Sequence, residues 1–185
     1  MANLTFVTGG ARSGKSRFAE SSLAGYQSVT YIATAKVTDE EMAWRIAKHK
    51  ESRPQQWLTC ECPLHPDMAI RQAAGAVLLD CLSIWVSNLL LGYWIETTDQ
   101  LAPWSTIEAE VISQVHHLLA AVEQSVGPVV IVSNEVGSGL VPSYKLGRAY
   151  RDLLGMVNQQ VAAAAQRVFW CVSGLPVLIK GEHDA

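Results

Sequence analysis

The stretch Gly9-Gly10-Ala11-Arg12-Ser13-Gly14-Lys15-Ser16 follows a short apolar run at residues 4–8 and opens a segment of helical character at residues 15–24. It fits the pattern G-x-x-x-x-G-K-[ST], in which glycines allow backbone N–H groups to turn inward around phosphate oxygens. Lys15 can then reach the β- and γ-phosphates, and the Ser16 hydroxyl can ligate Mg²⁺. The alternative is a structural glycine turn. Because the motif lies between a strand and a helix, as phosphate binding requires, we predict a nucleotide-binding loop, here called the P-loop.

Polar residues end two further predicted strands. Asp80 closes the apolar run Val77-Leu78-Leu79, and Asn134-Glu135 follows a Val/Ile run at residues 128–133. Ligands of open α/β sheets bind at the carboxyl ends of the strands, and a P-loop requires a carboxylate that helps to hold Mg²⁺. Asp80 is therefore a candidate metal ligand, although it could instead cap the helix that follows. Glu135 could belong to the site or anchor the loop at residues 137–139.

Strand-length apolar runs alternate with segments of helical period along the chain. The predicted strands lie at residues 4–8, 29–33, 57–61, 77–80, 128–133, 168–173 and 177–180. The predicted helices lie at residues 15–24, 38–52, 65–74, 82–94, 106–125 and 145–166, with loops at 96–104 and 136–144. We therefore predict one α/β domain, residues 1–185, with a mostly parallel sheet flanked by helices.

The composition excludes several classes of function. Of 185 residues, 49% are hydrophobic and 17% are charged, which is typical of a compact protein rather than a disordered one. The net charge of −3 gives no general reason to bind nucleic acid. No uncharged apolar stretch reaches the roughly 18 residues of a membrane span, and the N-terminus lacks the basic region of a signal peptide. We expect a cytoplasmic protein in which Cys60 and Cys62, spaced C-x-C, are ordinary thiols rather than zinc ligands.

The predicted helix at residues 38–52 carries an unusual concentration of cations. One face of it is formed by Met42, Arg45, Ile46 and His49, and Lys48, Lys50 and Arg53 lie beside that face. One interpretation is an amphipathic helix with a solvated basic end. The other is a helix that handles phosphate, with His49 as acid, base or nucleophile. The residues alone favour the first interpretation.

Segments from most of the chain, in order, resemble the bifunctional adenosylcobinamide kinase/adenosylcobinamide-phosphate guanylyltransferases of cobalamin biosynthesis. They are the P-loop with Val7 and Thr8, Tyr31-Ile32-Ala33-Thr34-Ala35, Asp39-Glu40-Glu41-Met42, Arg45-Ile46 with His49, Arg53-Pro54, Trp57, Thr59, Glu61, Asn134-Glu135-Val136-Gly137, Val141-Pro142, Arg148, Arg151-Asp152, Gly155, Val157-Asn158-Gln159 and Val172-Ser173-Gly174. The most specific feature is the P-loop followed by Arg-Ile-x-x-His. Residues 93–104 match no motif of the family.

The resemblance implies a RecA-like P-loop fold, usually assembled as a homotrimer, and two reactions. The first phosphorylates the aminopropanol hydroxyl of adenosylcobinamide with ATP or GTP. The second transfers GMP from GTP to that phosphate through a covalent histidine intermediate, which releases pyrophosphate and gives adenosylcobinamide-GDP. His49 occupies the position of that histidine. The resemblance therefore favours the second interpretation of the helix at residues 38–52, a helix that handles phosphate.

The P-loop motif and the resemblance together give the predicted set of site residues. The catalytic residues are His49 and Lys15, the nucleotide contacts are Gly9, Gly10, Ala11, Arg12, Ser13, Gly14, Lys15, Ser16, Thr34, Ala35, Lys36, Lys50, Arg53, Glu61 and Asp80, and the Mg²⁺ ligands are Ser16 and Asp80. Asp80 stands where family members often have Glu, so its charge is retracted by one methylene. The alternatives are a P-loop small-molecule kinase without nucleotidyl transfer and a non-catalytic GTP-binding regulatory protein.

Overall fold

The computed structural model describes residues 3–36, 39–51, 54–95 and 100–182, without the side chains of residues 42, 45, 46, 49–51, 95 and 100. The strands are β1 (Leu4–Gly9), β2 (Val29–Ala33), β3 (Leu58–Glu61), β4 (Ala76–Asp80), β5 (Trp94–Ile95), β6 (Gln100–Leu101), β7 (Val129–Asn134), β8 (Arg167–Val172) and β9 (Leu175–Lys180). The helices are α1 (Lys15–Ser22), α2 (Glu40–Glu51), α3 (Pro66–Gln72), α4 (Leu82–Leu91), α5 (Trp104–Glu123) and α6 (Lys145–Ala164).

Seven strands form one sheet in the order β3-β2-β4-β7-β1-β8-β9. Neighbouring strands are parallel except β8 and β9, which pair antiparallel at one edge. The prediction of a mostly parallel α/β sheet flanked by helices is confirmed. One strand, β7, lies between the P-loop strand β1 and the strand that ends in Asp80, so the ends of these two strands lie at the same edge of the sheet.

Alternate residues of the central strands face two separate cores. Phe6, Val77 and Ile131 belong to the larger core, which they share with residues of α3, α4, α5 and α6. Val7 and Tyr31 belong to the smaller core, which they share with residues of α1. Because both faces are covered, all five residues of β2 are buried, including the polar Thr30.

The prediction is wrong at residues 92–95 and 100–101, while residues 96–99 of the predicted loop lie outside the described residues. The helix predicted to end at residue 94 ends at Leu91, and Trp94 lies in a strand that pairs antiparallel with Gln100–Leu101, within the segment predicted as a loop. Strands of two residues are too short to show the alternation by which a strand is recognised. The last strand was predicted from residue 177, but it begins at Leu175 and includes Pro176, which an edge strand tolerates. Among the described helices, none has both the length and the apolar character needed to cross a membrane.

Candidate nucleotide-binding site

The P-loop connects β1 to α1 at the carboxyl edge of the parallel strands. Gly14 is the N-cap residue of α1 and has a φ of 90°, in the left-handed region that glycine adopts without strain. The Lys15 Nζ donates a hydrogen bond of 3.0 Å to the Gly10 carbonyl, so the ammonium group lies across the loop. A phosphate bound in the loop would therefore meet this charge together with the N–H groups of the first turn of α1.

Asp80 lies at the same edge of the sheet, on the far side of β7. Its Cα is paired with Val132, while Gly9 at the end of β1 is paired with Asn134. The Asp80 carboxylate is half-buried and accepts a hydrogen bond of 2.7 Å from the Tyr31 hydroxyl. The N-cap residue of α4 is Cys81, and α4 has no side-chain cap. The alternative that Asp80 caps this helix is therefore excluded, and its carboxylate is held at the ligand-binding edge.

Thr34 has a structural role in this arrangement. Its side chain is fully buried, and its hydroxyl donates to the Cys81 carbonyl at 2.8 Å and accepts from the Cys81 N–H at 3.0 Å. Asn88 donates to the Thr34 carbonyl at 2.8 Å. The Thr34 side chain is thus engaged with the protein, and of the predicted contacts at residues 34–36 only the half-buried Ala35 and the exposed Lys36 have accessible side chains.

A cluster of neutral polar groups supports the edge of the sheet from the α6 side. The Ser83 hydroxyl accepts from Asn134 at 2.9 Å and lies 2.9 Å from the Cys81 thiol, while the Ser83 carbonyl accepts from the Tyr150 hydroxyl at 3.2 Å. Asn158 donates to the Asn134 carbonyl at 3.0 Å. Burial raises the pKa of Cys81 to about 11 and that of Tyr150 to about 12, so both stay protonated at neutral pH.

Sequence reasoning missed most of these supporting residues. Ser83, Asn88 and Tyr150 carry no local signal, because their partners are brought to them only by the pairing of distant strands. Tyr31 and Asn158 are different, since both belong to segments that carry the family resemblance, and Asn158 is a polar residue of α6 with only 9% of its surface exposed.

Glu135 anchors the loop that follows β7. Its Oε1 accepts a hydrogen bond of 2.6 Å from the Gly137 N–H, and the Gly137 carbonyl accepts one of 2.6 Å from Arg151. Arg148 donates to the carbonyl groups of Pro142 and Ser143 at 3.1 and 2.7 Å. These contacts match the anchoring alternative for Glu135. The loop between β7 and α6 is therefore fastened to the first turns of α6.

The remaining predicted site residues lie on or after β2 and β3. The His49 and Lys50 positions fall in the last turn of α2, but their side chains are outside the described part of the structure, as is the whole of Arg53. Glu61 is the last residue of β3 and is exposed at the carboxyl edge of the sheet. On α2, the Lys48 Nζ lies 5.1 Å from the centre of the Trp44 ring, and 61% of the Trp44 surface is exposed.

Comparison with known proteins identifies the family. Residues 5–179 match the family model of cobinamide kinase/cobinamide phosphate guanyltransferase. The chain belongs to this family. The bifunctional adenosylcobalamin biosynthesis protein CobU of Salmonella typhimurium is 43% identical over 180 residues, which cover 96% of this chain and 99% of the relative. The protein of the same name from Escherichia coli is 42% identical over 180 residues, with the same coverage.

Two further relationships are more distant. The bifunctional adenosylcobalamin biosynthesis protein CobP of Pseudomonas aeruginosa is 40% identical over 180 residues, 95% of this chain and 96% of the relative. Among solved structures, the RadB recombinase matches with a TM-score of 0.45 and 12% identity, over 91% of this chain and 73% of that chain. The family resemblance predicted from the sequence is thus confirmed, and with it the class of bifunctional kinase and guanyltransferase.

The metal ligands predicted for this family member fit Mg²⁺ better than a softer metal. The predicted ligands, the Ser16 hydroxyl and the Asp80 carboxylate, offer oxygen only. Within the described ranges no group of three or more His, Cys, Asp and Glu side chains converges, and all four cysteines are free thiols. Mg²⁺ commonly takes one or two protein oxygens and completes its shell with water and phosphate. A zinc site would require more protein ligands.

Proposed function

We propose that this chain phosphorylates adenosylcobinamide with ATP or GTP, and then transfers GMP from GTP to adenosylcobinamide phosphate through a guanylyl-His49 intermediate. The observation that carries the proposal is a P-loop with Lys15 across it and Asp80 at the same sheet edge, in a chain that matches the kinase/guanyltransferase family along residues 5–179. The products are adenosylcobinamide-GDP and pyrophosphate.

In the kinase step the protein positions the phosphates and stabilises charge. Backbone N–H groups of the P-loop and of the first turn of α1 bind phosphate oxygens, and Lys15 neutralises charge that develops during transfer. Ser16 and Asp80 are the residues that would hold Mg²⁺, which supplies electrostatic stabilisation of the phosphates when bound. The contact of Asp80 with Tyr31 restrains one carboxylate oxygen and leaves the other for this role.

In the transferase step His49 is the nucleophile. Its neutral imidazole attacks the α-phosphorus of GTP, a nitrogen–phosphorus bond forms, and pyrophosphate leaves. A phosphate oxygen of adenosylcobinamide phosphate then attacks the same phosphorus, and the imidazole leaves. Lys50 and Arg53 would stabilise the developing charge. The further nucleotide contacts that we propose are Lys36, which is exposed after the end of β2, and Glu61, which is exposed as the last residue of β3.

We also propose a cytoplasmic homotrimer. Trp170 pairs directly with Val177, and Val172 pairs with Leu175, so the four side chains lie on one face of the β8–β9 edge. All four are exposed, Leu175 to 67%. Burying such a face in a subunit contact is favourable. Sedimentation analysis should give the mass of three chains for the wild type and a smaller species for Leu175→Lys, whereas a monomeric wild type would contradict this part of the proposal.

Two labelling assays test the reactions. With adenosylcobinamide and γ-labelled ATP, we expect labelled adenosylcobinamide phosphate from the wild type and from His49→Ala, but not from Lys15→Ala. With α-labelled GTP and adenosylcobinamide phosphate, we expect transfer by the wild type and none by His49→Ala. His117→Ala, which changes an exposed histidine of α5, is the control. Phosphorylation without transfer by the wild type would indicate a kinase alone, and GTP binding without either product would indicate a regulatory protein.

A further inference from the structure

We infer that the two-residue turn between β8 and β9, Ser173-Gly174, is a positioning element for the P-loop and sets its affinity for nucleotide phosphates. The inference rests on the proposed function in one respect, since it assumes that the P-loop binds a nucleotide. Val172-Ser173-Gly174 was among the segments that carry the family resemblance, and the two reactions leave it without a role.

The turn has the backbone of a tight hairpin. Val172 and Leu175 are paired, which leaves Ser173 and Gly174 as the only residues between the strands. Both have positive φ, 52° for Ser173 and 85° for Gly174. Two central residues with positive φ are typical of type I′ turns, whose twist matches that of the flanking strands. The turn is therefore a rigid point at the end of the β8–β9 ribbon.

This turn is in direct contact with the P-loop. The Gly174 N–H donates a hydrogen bond of 3.0 Å to the Ser13 carbonyl. A Cβ built on Gly14 would lie 3.0 Å from the Gly174 Cα, so the two backbones touch. At the start of the loop, a Cβ on Gly9 would lie only 2.4 Å from the Cys171 carbonyl oxygen. The P-loop is thus packed along the end of β8 without intervening side chains.

The hydrogen bond fixes the orientation of one peptide group in the P-loop. In a planar trans peptide the C=O and N–H bonds point in opposite directions. Because the Ser13 carbonyl points to the turn, the Gly14 N–H points away from it. On the opposite side of the loop, the Glu135 N–H holds the Gly9 carbonyl at 3.0 Å. Gly174 therefore presets the direction of an N–H group that a phosphate oxygen would meet, which lowers the cost of ordering the loop on binding.

Three substitutions separate this role from general stability. Gly174→Ala adds a Cβ that has no neighbour within 4 Å, so its effect comes from strain at a φ of 85°. Gly174→Asn is the conservative variant, because Asn tolerates positive φ better than Ala. Gly181→Ala is the matched control: Gly181 has a φ of 98° just after the other end of β9, and its Cβ would lie 2.5 Å from the Gln166 carbonyl oxygen, away from the P-loop.

The measurements are the Kd of GTP with Mg²⁺, the urea midpoint, and deuterium exchange of the peptide that contains the P-loop. We expect Gly174→Ala to weaken GTP binding about tenfold, Gly174→Asn to weaken it less, and Gly181→Ala to lower the urea midpoint while its Kd stays within about twofold of the wild type. Deuterium exchange of the P-loop peptide should be faster in both Gly174 variants. If Gly174→Ala is too unstable to assay, the exchange of Gly174→Asn still tests the inference.

Two results would overturn the inference alone: Gly174 variants that bind GTP and exchange like the wild type, or a Gly181→Ala variant that loses affinity as much as Gly174→Ala does. A wild-type protein that binds no GTP would instead contradict the proposed function, and the inference with it. The two failures are therefore distinguishable by the wild-type titration.

Discussion

Thr34→Val removes the hydroxyl that joins the end of β2 to Cys81 while keeping the volume of the side chain. The hydroxyl makes two hydrogen bonds, of 2.8 and 3.0 Å, and Thr34 is fully buried with Cys81 only 6% exposed. Each hydrogen bond contributes about 1 kcal/mol, and the buried Cys81 N–H would lose its partner, whereas the Cys81 carbonyl would keep the hydrogen bond of 3.2 Å from the Trp85 N–H. We expect the free energy of unfolding to fall by about 3 kcal/mol.

Thr34→Ser is the matched control, because it keeps the hydroxyl and loses one methyl group. That loss costs about 1 kcal/mol, so the two variants should differ by about 2 kcal/mol. Urea unfolding followed by tryptophan fluorescence measures both values under one set of conditions. Equal midpoints for the two variants would refute the structural role of the Thr34 hydroxyl.

The same pair of variants decides how Thr34 acts on the site. If the hydroxyl acts by holding Cys81, and through it the adjacent Asp80, then Thr34→Val should weaken GTP binding in Mg²⁺ and leave binding in EDTA nearly unchanged. If Thr34 instead contacts the nucleotide directly, the affinity should fall in both conditions. The buried position of the side chain favours the first result.

Three other predictions concern the groups around the site. Tyr31→Phe removes the hydrogen bond to Asp80, so GTP affinity should fall about fivefold in Mg²⁺ and be unchanged in EDTA; an equal loss in both would refute this. Burial raises the pKa of Tyr150 to about 12 in the folded protein, whereas a tyrosine in the unfolded chain has a pKa of about 10, so the protonated phenol stabilises the fold fully below pH 10 and this contribution is lost as the pH rises toward 12. Between pH 9 and pH 11 the free energy of unfolding of the wild type should therefore fall by about 1 kcal/mol more than that of Tyr150→Phe. Asn158→Ala breaks contacts with both Ser133 and the backbone of β7, so its urea midpoint should fall further than that of Ser133→Ala, and the reverse order would contradict the cluster.

The buried parallel strands could be predicted from the sequence because their environment is uniform. Strand β2, covered on both faces, consists mainly of β-branched and aromatic residues, and the predicted bounds of residues 29–33 are confirmed. The P-loop could be predicted because its glycines, lysine and serine lie at fixed spacings within one continuous stretch of the sequence. The two-residue strands at Trp94 and Leu101 could not, since their pairing depends on a partner and not on a local pattern.

The supporting contacts of the site could not be predicted, because they depend on the register between distant strands. Because Ala33 pairs with Asp80, the Tyr31 hydroxyl reaches the Asp80 carboxylate and the Thr34 hydroxyl reaches the Cys81 backbone. No spacing in the sequence encodes that register. The resemblance predicts Thr34 as a nucleotide contact. In the structure the Thr34 hydroxyl makes hydrogen bonds with the Cys81 backbone, and this contact joins the end of β2 to the end of β4.

The most direct test of the central claim is the mass of the peptide that contains His49 after the protein is mixed with GTP and Mg²⁺ and digested without acid. We predict that this peptide gains the mass of one GMP and loses it again when adenosylcobinamide phosphate is added, while His49→Ala gains none. GMP transfer by a protein whose His49 peptide never carries the added mass, or a GMP adduct on another residue, would contradict the guanylyl-histidine mechanism.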